Sequence, residues 1–470
     1  MVEIDSLPIL CRQPHTCGME NKKGGVPMKK SNNAFFAIGL MLFALFFGAG
    51  NLIFPVFMGQ NSGLNTIPAT IGFLITGVGL PLLGVLAICY SGVNLRELAS
   101  RIHPVYSLFF CTALYMTIGP CFAAPRTATV AYEIAVAQSL PPEMRTVGLY
   151  VFAAVFFIIT WWLAISPSKM VDRVGKFMTP VLLLFLFLLI ISAVVSPMGS
   201  WQVPTPAYDN GVKAFTQAIV DGYNTMDGLA ALVFGIIVVE SVKMYGAQTN
   251  EEITRDTLRS GLVSTFFMAL IYAALCYLGA NSVPVIGIQE NGAPVLVKTA
   301  MYYFGGAGSA VLGVIVIFAC LTTSVGLGAA CAAYFNLLFP KISAKVFVTI
   351  YAVLCFFIAL FGLTTIIKNS IPVLLLLYPL AISLIILAFL DPYFKGRHCV
   401  YAWATGLTGL PALCDGLHGF GLKLGPVDDI LASLPLAEYS MAWVSFFVAG
   451  LVIGFIWMSV TGEKKEVESV

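Results

Sequence analysis

The sequence predicts an all-α integral membrane protein of about twelve transmembrane helices, and three observations predict it. Hydrophobic residues make up 59% of the 470 and charged residues only 10%, against roughly 25% charged in an average soluble domain. The charges gather in short loops between apolar runs, most of them close to the ~20 residues that cross the hydrocarbon of a bilayer. Lysine and arginine also fall mainly on one side of those runs. With the N-terminus inside, nineteen of the 25 are cytoplasmic, and Arg126, Arg145, Lys213, Lys298, Lys368 and Lys423 lie in the membrane or outside. This is the bias that orients membrane proteins, and it puts both termini in the cytoplasm.

Composition also excludes function classes. The net charge of +2 is divided between two sides of a membrane, so it points to no nucleic-acid partner. The 11 cysteines are scattered through apolar segments with no C-x-x-C pair, which reads as buried small hydrophobes rather than disulfides. His15, His103, His398 and His418 stand in no metal-ligand or triad spacing, and no phosphate-cradling loop is present. An enzyme, a bound cofactor and an ATPase are all unexpected. Any work done must draw on an ion gradient, or the flow is passive.

Taken in order, residues 1–31 form a polar extension, either a short cytoplasmic tail or the product of an upstream start codon with Met19 or Met28 as the beginning; it lacks the apolar core of a signal peptide. Spans are then expected at 34–59, 68–90, 105–139, 147–165, 177–195 and 215–240. They continue at 261–280, 309–339, 346–363, 371–390, 400–413 and 442–460, followed by a cytoplasmic tail at 463–470. The eleventh is short and punctuated by glycine, so it extends, tilts or re-enters.

The first span contains Phe47-Gly48-Ala49-Gly50-Asn51-Leu52-Ile53-Phe54-Pro55. Glycine costs ~1 kcal/mol and proline ~3 kcal/mol in a helix interior, so the helix is expected to break here. Within lipid a freed backbone group is tolerated only where protein or a polar cavity replaces its partner. Half-helix N-termini then attract an anionic group, and freed carbonyls attract a small cation. The competing reading is a glycine packing face between two helices. A second break is expected five spans later, in Asp221-Gly222-Tyr223-Asn224-Thr225-Met226-Asp227-Gly228. Breaks at matching positions of two halves mark an inverted-repeat carrier, with repeats at 34–195 and 215–390 and two accessory helices in 391–462.

Three other groups of residues carry candidate chemistry. The hydroxyls of Thr322, Thr323 and Ser324, with carbonyls from an opened helix, can coordinate a hard cation; alternatively, such hydroxyls bond back to the preceding turn. Asp227 and Glu133 are the most deeply placed acids, read as gate, proton relay or structural partners of a helix end or of Arg126. Glu133 and Arg126 are seven residues apart on one helix, about 10 Å, too far for a direct pair. Large apolar residues near both breaks, Leu52, Ile53, Phe54, Leu232, Val233 and Phe234, suit a neutral, apolar amino acid.

These motifs, together with Ala124-Pro125-Arg126-Thr127-Ala128-Thr129-Val130 and the following Tyr132 and Glu133, resemble the bacterial branched-chain amino acid:cation symporter family, the LIVCS carriers, from Ala34 to the C-terminus. The resemblance implies a multi-pass protein of the inner membrane taking up leucine, isoleucine and valine with a coupling ion, usually sodium, through a LeuT-like core of five plus five inverted helices. Gly48, Gly50, Asn51, Phe54 and Pro55 are also similar to the first helix of sodium-coupled LeuT-type carriers. Carried over by position, the carbonyls of Ala44 and Phe47 join Ala319, Thr322 and Thr323 at one sodium site, or Cys320, Thr323 and Ser324 after a one-residue shift. Gly48, Ala49, Gly50 and Asn51 then face the substrate carboxylate and Phe234 lines the pocket around the side chain. Leu229, Ala230 and Ala231 stand where a second sodium needs a hydroxyl, so one sodium is expected. A proton-coupled carrier, a passive channel and a membrane scaffold are the alternatives.

Overall fold

The computed structural model describes residues 34–165 and 169–461. The expected extension at 1–31 and the tail at 463–470 lie outside them. All regular structure among the described residues is helical: α1 (Ala34–Phe46), α2 (Ala49–Ser62), α3 (Thr66–Leu74), α4 (Leu80–Ser91), α5 (Leu95–Ser100), α6 (Pro104–Met116), α7 (Ala123–Ala135), α8 (Arg145–Ile165) and α9 (Lys169–Val195). The chain continues through α10 (Gly211–Asp221), α11 (Asp227–Met244), α12 (Asn250–Ile286), α13 (Gly292–Leu338), α14 (Ala344–Ala359), α15 (Leu363–Phe394), α16 (His398–Gly419), α17 (Pro426–Ala432) and α18 (Trp443–Thr461). Among the described residues, seven helical stretches are long and apolar enough to cross a bilayer, and α10 with α11 makes an eighth if that pair, bent by 49°, is one span. Large apolar side chains such as Val155, Ile158, Phe357 and Trp162 stand exposed on the outer faces of α8 and α14. That is the surface lipid requires.

Both expected breaks are present. The first span divides between α1 and α2 at Phe47 and Gly48, where Gly48 is extended at φ −120° and ψ −166°. The other divides at Met226, whose left-handed backbone (φ 63°) costs a non-glycine residue roughly 1–2 kcal/mol. Three expected spans differ from those observed. The third carries a wide turn at Thr117–Cys121 between α6 and α7, with Gly119 outside helical geometry, because Pro120 has no N–H to continue the ladder. The stretch α13 is two helices joined at Gly305 (φ 65°), a backbone region glycine enters without penalty; the second of them holds the expected eighth span, and a further helix from Gly292 precedes it. The eleventh is one continuous helix of 22 residues, α16. It packs against α18, where Gly450 lies over the Trp403 carbonyl and Gly454 over Val400.

Close packing of the first span uses glycines other than those at its break. A Cβ on Gly59 would stand 2.1 Å from the Cys276 carbonyl oxygen, and one on Gly279 would stand 2.0 Å from that of Val56. Thus α2 and α12 meet backbone to backbone. At the other end, a Cβ on Gly39 of α1 would be 2.7 Å from the Ser260 carbonyl oxygen of α12. This backbone packing lies about two and a half to three turns from Gly48 and Gly50, where a Cβ on Gly48 would meet nothing closer than 3.5 Å.

Candidate functional site

In an unbroken helix the Gly48 amide would donate to the Ala44 carbonyl. It donates instead to Asn51 Oδ1, at 3.2 Å. The first amides of α2 therefore lack helical acceptors, and its N-terminus carries the positive end of the helix dipole. The other end of the same Asn51 side chain reaches the second break: its Nδ2 donates to Asp227 Oδ2 at 2.5 Å and to the Tyr272 hydroxyl. Tyr272, on α12, donates in turn to Asp227 Oδ2 at 3.1 Å. All three side chains are buried. A carboxylate so placed is tolerated only because donors surround it.

Arg126 of α7 occupies the gap between the breaks. Its Nη1 donates to the Asn224 carbonyl at 2.6 Å, its Nη2 lies 3.4 Å from Met226 Sδ, and its guanidinium carbon sits 5.0 Å from the centre of the Phe54 ring. Next to it, Tyr223 stacks on Tyr378 of α15 with ring centres 4.1 Å apart. Arg126 is thus tied to the end of the short helical turn before Met226, which fixes the left-handed residue in place.

The residues expected as cation ligands are placed as follows. Thr323 faces the first break: a Cβ on Gly48 would lie 3.5 Å from its Cγ2 and 3.6 Å from its Oγ1. Thr322 and Thr323 both donate to the Ala319 carbonyl, at 2.9 and 3.0 Å, as hydroxyls in apolar helices do. The Ser324 hydroxyl is buried without a hydrogen-bond partner among the described residues, and its backbone carbonyl accepts from the Tyr351 hydroxyl of α14 at 2.8 Å. Ala44 and Phe47 flank the same break, Ala44 exposed and Phe47 buried.

Other expected residues are distributed as follows. Ala49 is buried and Gly50 half-buried at the start of α2. Phe234 packs against Phe46 with ring centres 6.3 Å apart, which places it beside the last turn of α1. Glu133 lies beside Asn291, the N-cap of α13, and Glu290, whereas Asp227 is surrounded by Asn51, Tyr272, Thr225 and Arg126. The two acids proposed as a relay are therefore in separate surroundings. Sequence reasoning missed Tyr272, Tyr223 and Tyr378. For Tyr272 the signal was available: a tyrosine in the middle of an apolar run, away from the headgroup level, needs a buried partner for its hydroxyl, and here that partner is Asp227.

This chain matches the family model described as branched-chain amino acid transport protein over residues 31–461. It is 45% identical over 430 residues to the branched-chain amino acid permease BrnQ of Bacillus subtilis, covering 91% of this chain and 97% of that one. It is 42% identical over 449 residues to the permease BraB of the same organism, covering 95% of this chain and 100% of that one. Among solved structures it resembles a nucleobase-cation-symport-1 family transporter in a closed conformation, with a TM-score of 0.56 and 14% identity over 91% of this chain and 93% of that one, a likeness of fold. The paired breaks thus sit in a fold shared with transporters, and the extent of the match makes this chain a transport protein rather than an enzyme, a member of the branched-chain amino acid transport family.

Proposed function

We propose that the protein is a secondary active symporter importing leucine, isoleucine and valine across a bacterial inner membrane, coupled to sodium by alternating access. The substrate reading draws on relatives named as branched-chain amino acid permeases. The observation that carries the mechanism is the diverted Gly48 amide, which leaves the α2 N-terminus open to a carboxylate directly opposite Thr323. Gly48, Ala49, Gly50 and Asn51 face the carboxylate, and Phe234 with Phe46 walls the side-chain end.

The coupling ion sits among the carbonyls of Ala44, Phe47 and Ala319 and the hydroxyls of Thr322 and Thr323. Donation of those hydroxyls to Ala319 is compatible with this, since each keeps lone pairs for a cation. Such a sodium joins α1 to α13, and its loss to the cytoplasm frees them. The architecture is twelve spans, a five-plus-five inverted core at 34–195 and 215–390, and two accessory helices in 391–462, with both termini cytoplasmic. The two observed breaks, in the first and sixth spans, support that repeat. No ATPase subunit is required.

A proton-coupled carrier is the second reading, favoured by Asp227 lying buried where the two breaks meet. Labelled leucine uptake into proteoliposomes, with an inward sodium or an inward proton gradient at fixed membrane potential, separates them. Accumulation with sodium alone supports the first reading and accumulation with protons alone the second. Equilibration without accumulation, whatever the gradient, leaves a facilitator.

A further inference from the structure

Arg126 is 2% exposed and, among the described residues, no ion pair joins it to a carboxylate. A guanidinium has five N–H donors. Here Nη1 is given to a carbonyl and Nη2 to a thioether, while Nε is buried with no partner. Charge without a counter-charge is costly in such a place. Its position makes matters worse: a Cβ on Gly50 would stand 3.6 Å from Nη1, so the cation is held against the positive end of α2. Two positive features brought together in a buried junction define a place for an anion. Asp227, whose charge is felt by Arg126 without an ion pair between them, has its Oδ2 engaged by Asn51 and Tyr272. The Asn224 Oδ1 acceptor at the same junction is also buried without a partner. An orphan donor and an orphan acceptor together suit a zwitterion.

We propose that Arg126 is the fixed counter-charge for the carboxylate of the transported amino acid, which lies between the guanidinium and the α2 N-terminus. This rests on the reading of the first break as the substrate site. It gives Arg126 a direct part in recognition, and it explains how the carboxylate is neutralised with a single sodium elsewhere.

The test is titration calorimetry of the purified full chain with leucine and with leucinamide, which keeps the ammonium and side chain but has no carboxylate. For Arg126→Gln, leucine affinity is expected to fall by roughly 30-fold, the size of a charge-assisted hydrogen bond, while leucinamide affinity holds. Equal loss for both ligands, or no loss for either, overturns the proposal. Should Arg126→Gln fail to fold, Gly50→Ala places a methyl in the same gap, 3.3 Å from the Phe54 ring. It is expected to weaken leucine more than leucinamide, and an unchanged ratio again overturns the proposal. Absence of leucine binding to the wild-type protein sinks the substrate-site reading itself, whereas normal wild-type binding with an unchanged ratio in the variants sinks only the role of Arg126.

Discussion

Asn51 and Asp227, 176 positions apart in the chain, are joined by a 2.5 Å hydrogen bond that ties the first broken span to the second. The same amide caps Gly48 with its oxygen. One side chain therefore holds the geometry of both breaks.

Asn51→Ala removes three hydrogen bonds and leaves a buried carboxylate with Tyr272 as its remaining side-chain partner across the junction. The expected loss is about 2–3 kcal/mol of stability, read as a lower melting temperature in detergent, with uptake abolished. A variant as stable as wild type would show that the bridge is not needed to hold the breaks.

Asp227→Asn separates structure from relay. The amide can still accept from Asn51 and Tyr272 but cannot carry a proton. With sodium coupling, folded protein is expected to retain uptake at a level reduced by less than about tenfold, as neutral hydrogen bonds replace charge-assisted ones. Complete loss of uptake with an unchanged melting curve would assign Asp227 an essential charge.

The neighbouring hydroxyls are expected to differ sharply. Thr323→Val keeps the volume but removes the oxygen facing Gly48, raising the sodium concentration for half-maximal uptake by roughly tenfold. Ser324→Ala deletes a buried hydroxyl that has no partner, so sodium dependence stays unchanged. The reverse order in a sodium titration of uptake would restore the one-residue shift of the ion site.

Gly59→Ala puts a methyl against the Cys276 carbonyl and must prise α2 from α12, at a cost of roughly 3 kcal/mol. Gly406→Ala in α16 meets nothing within 4 Å and is expected to be neutral or to stabilise by about 0.5 kcal/mol. Melting temperatures of the two variants check the contrast.

How much of this was legible in the sequence follows from what each residue type does locally. Gly48, Gly50 and Pro55 weaken a helix through backbone effects that need no partner, so the first break could be read directly. The second was legible because Asp227 and Gly222 are out of place in an apolar run. The orientation of Thr323 and Ser324 was not, because a shift of one residue changes face without changing the pattern. Tyr272 and Tyr378 reach the site from other helices, and single-chain periodicity carries no record of which helices become neighbours. The kink within α13 was not legible for a related reason: Gly305 lets the chain bend, but whether it does depends on what lies beyond it.

The long helix α12 runs alongside both halves of the first span, so it acts as a splint across a fracture. One half is fastened to it where Gly59 and Gly279 bring two backbones together, and the other where Gly39 meets Ser260. A free swing of either piece at the break would have to undo one of these contacts, so residues about two to three turns from Gly48 bear on how stiff the break is.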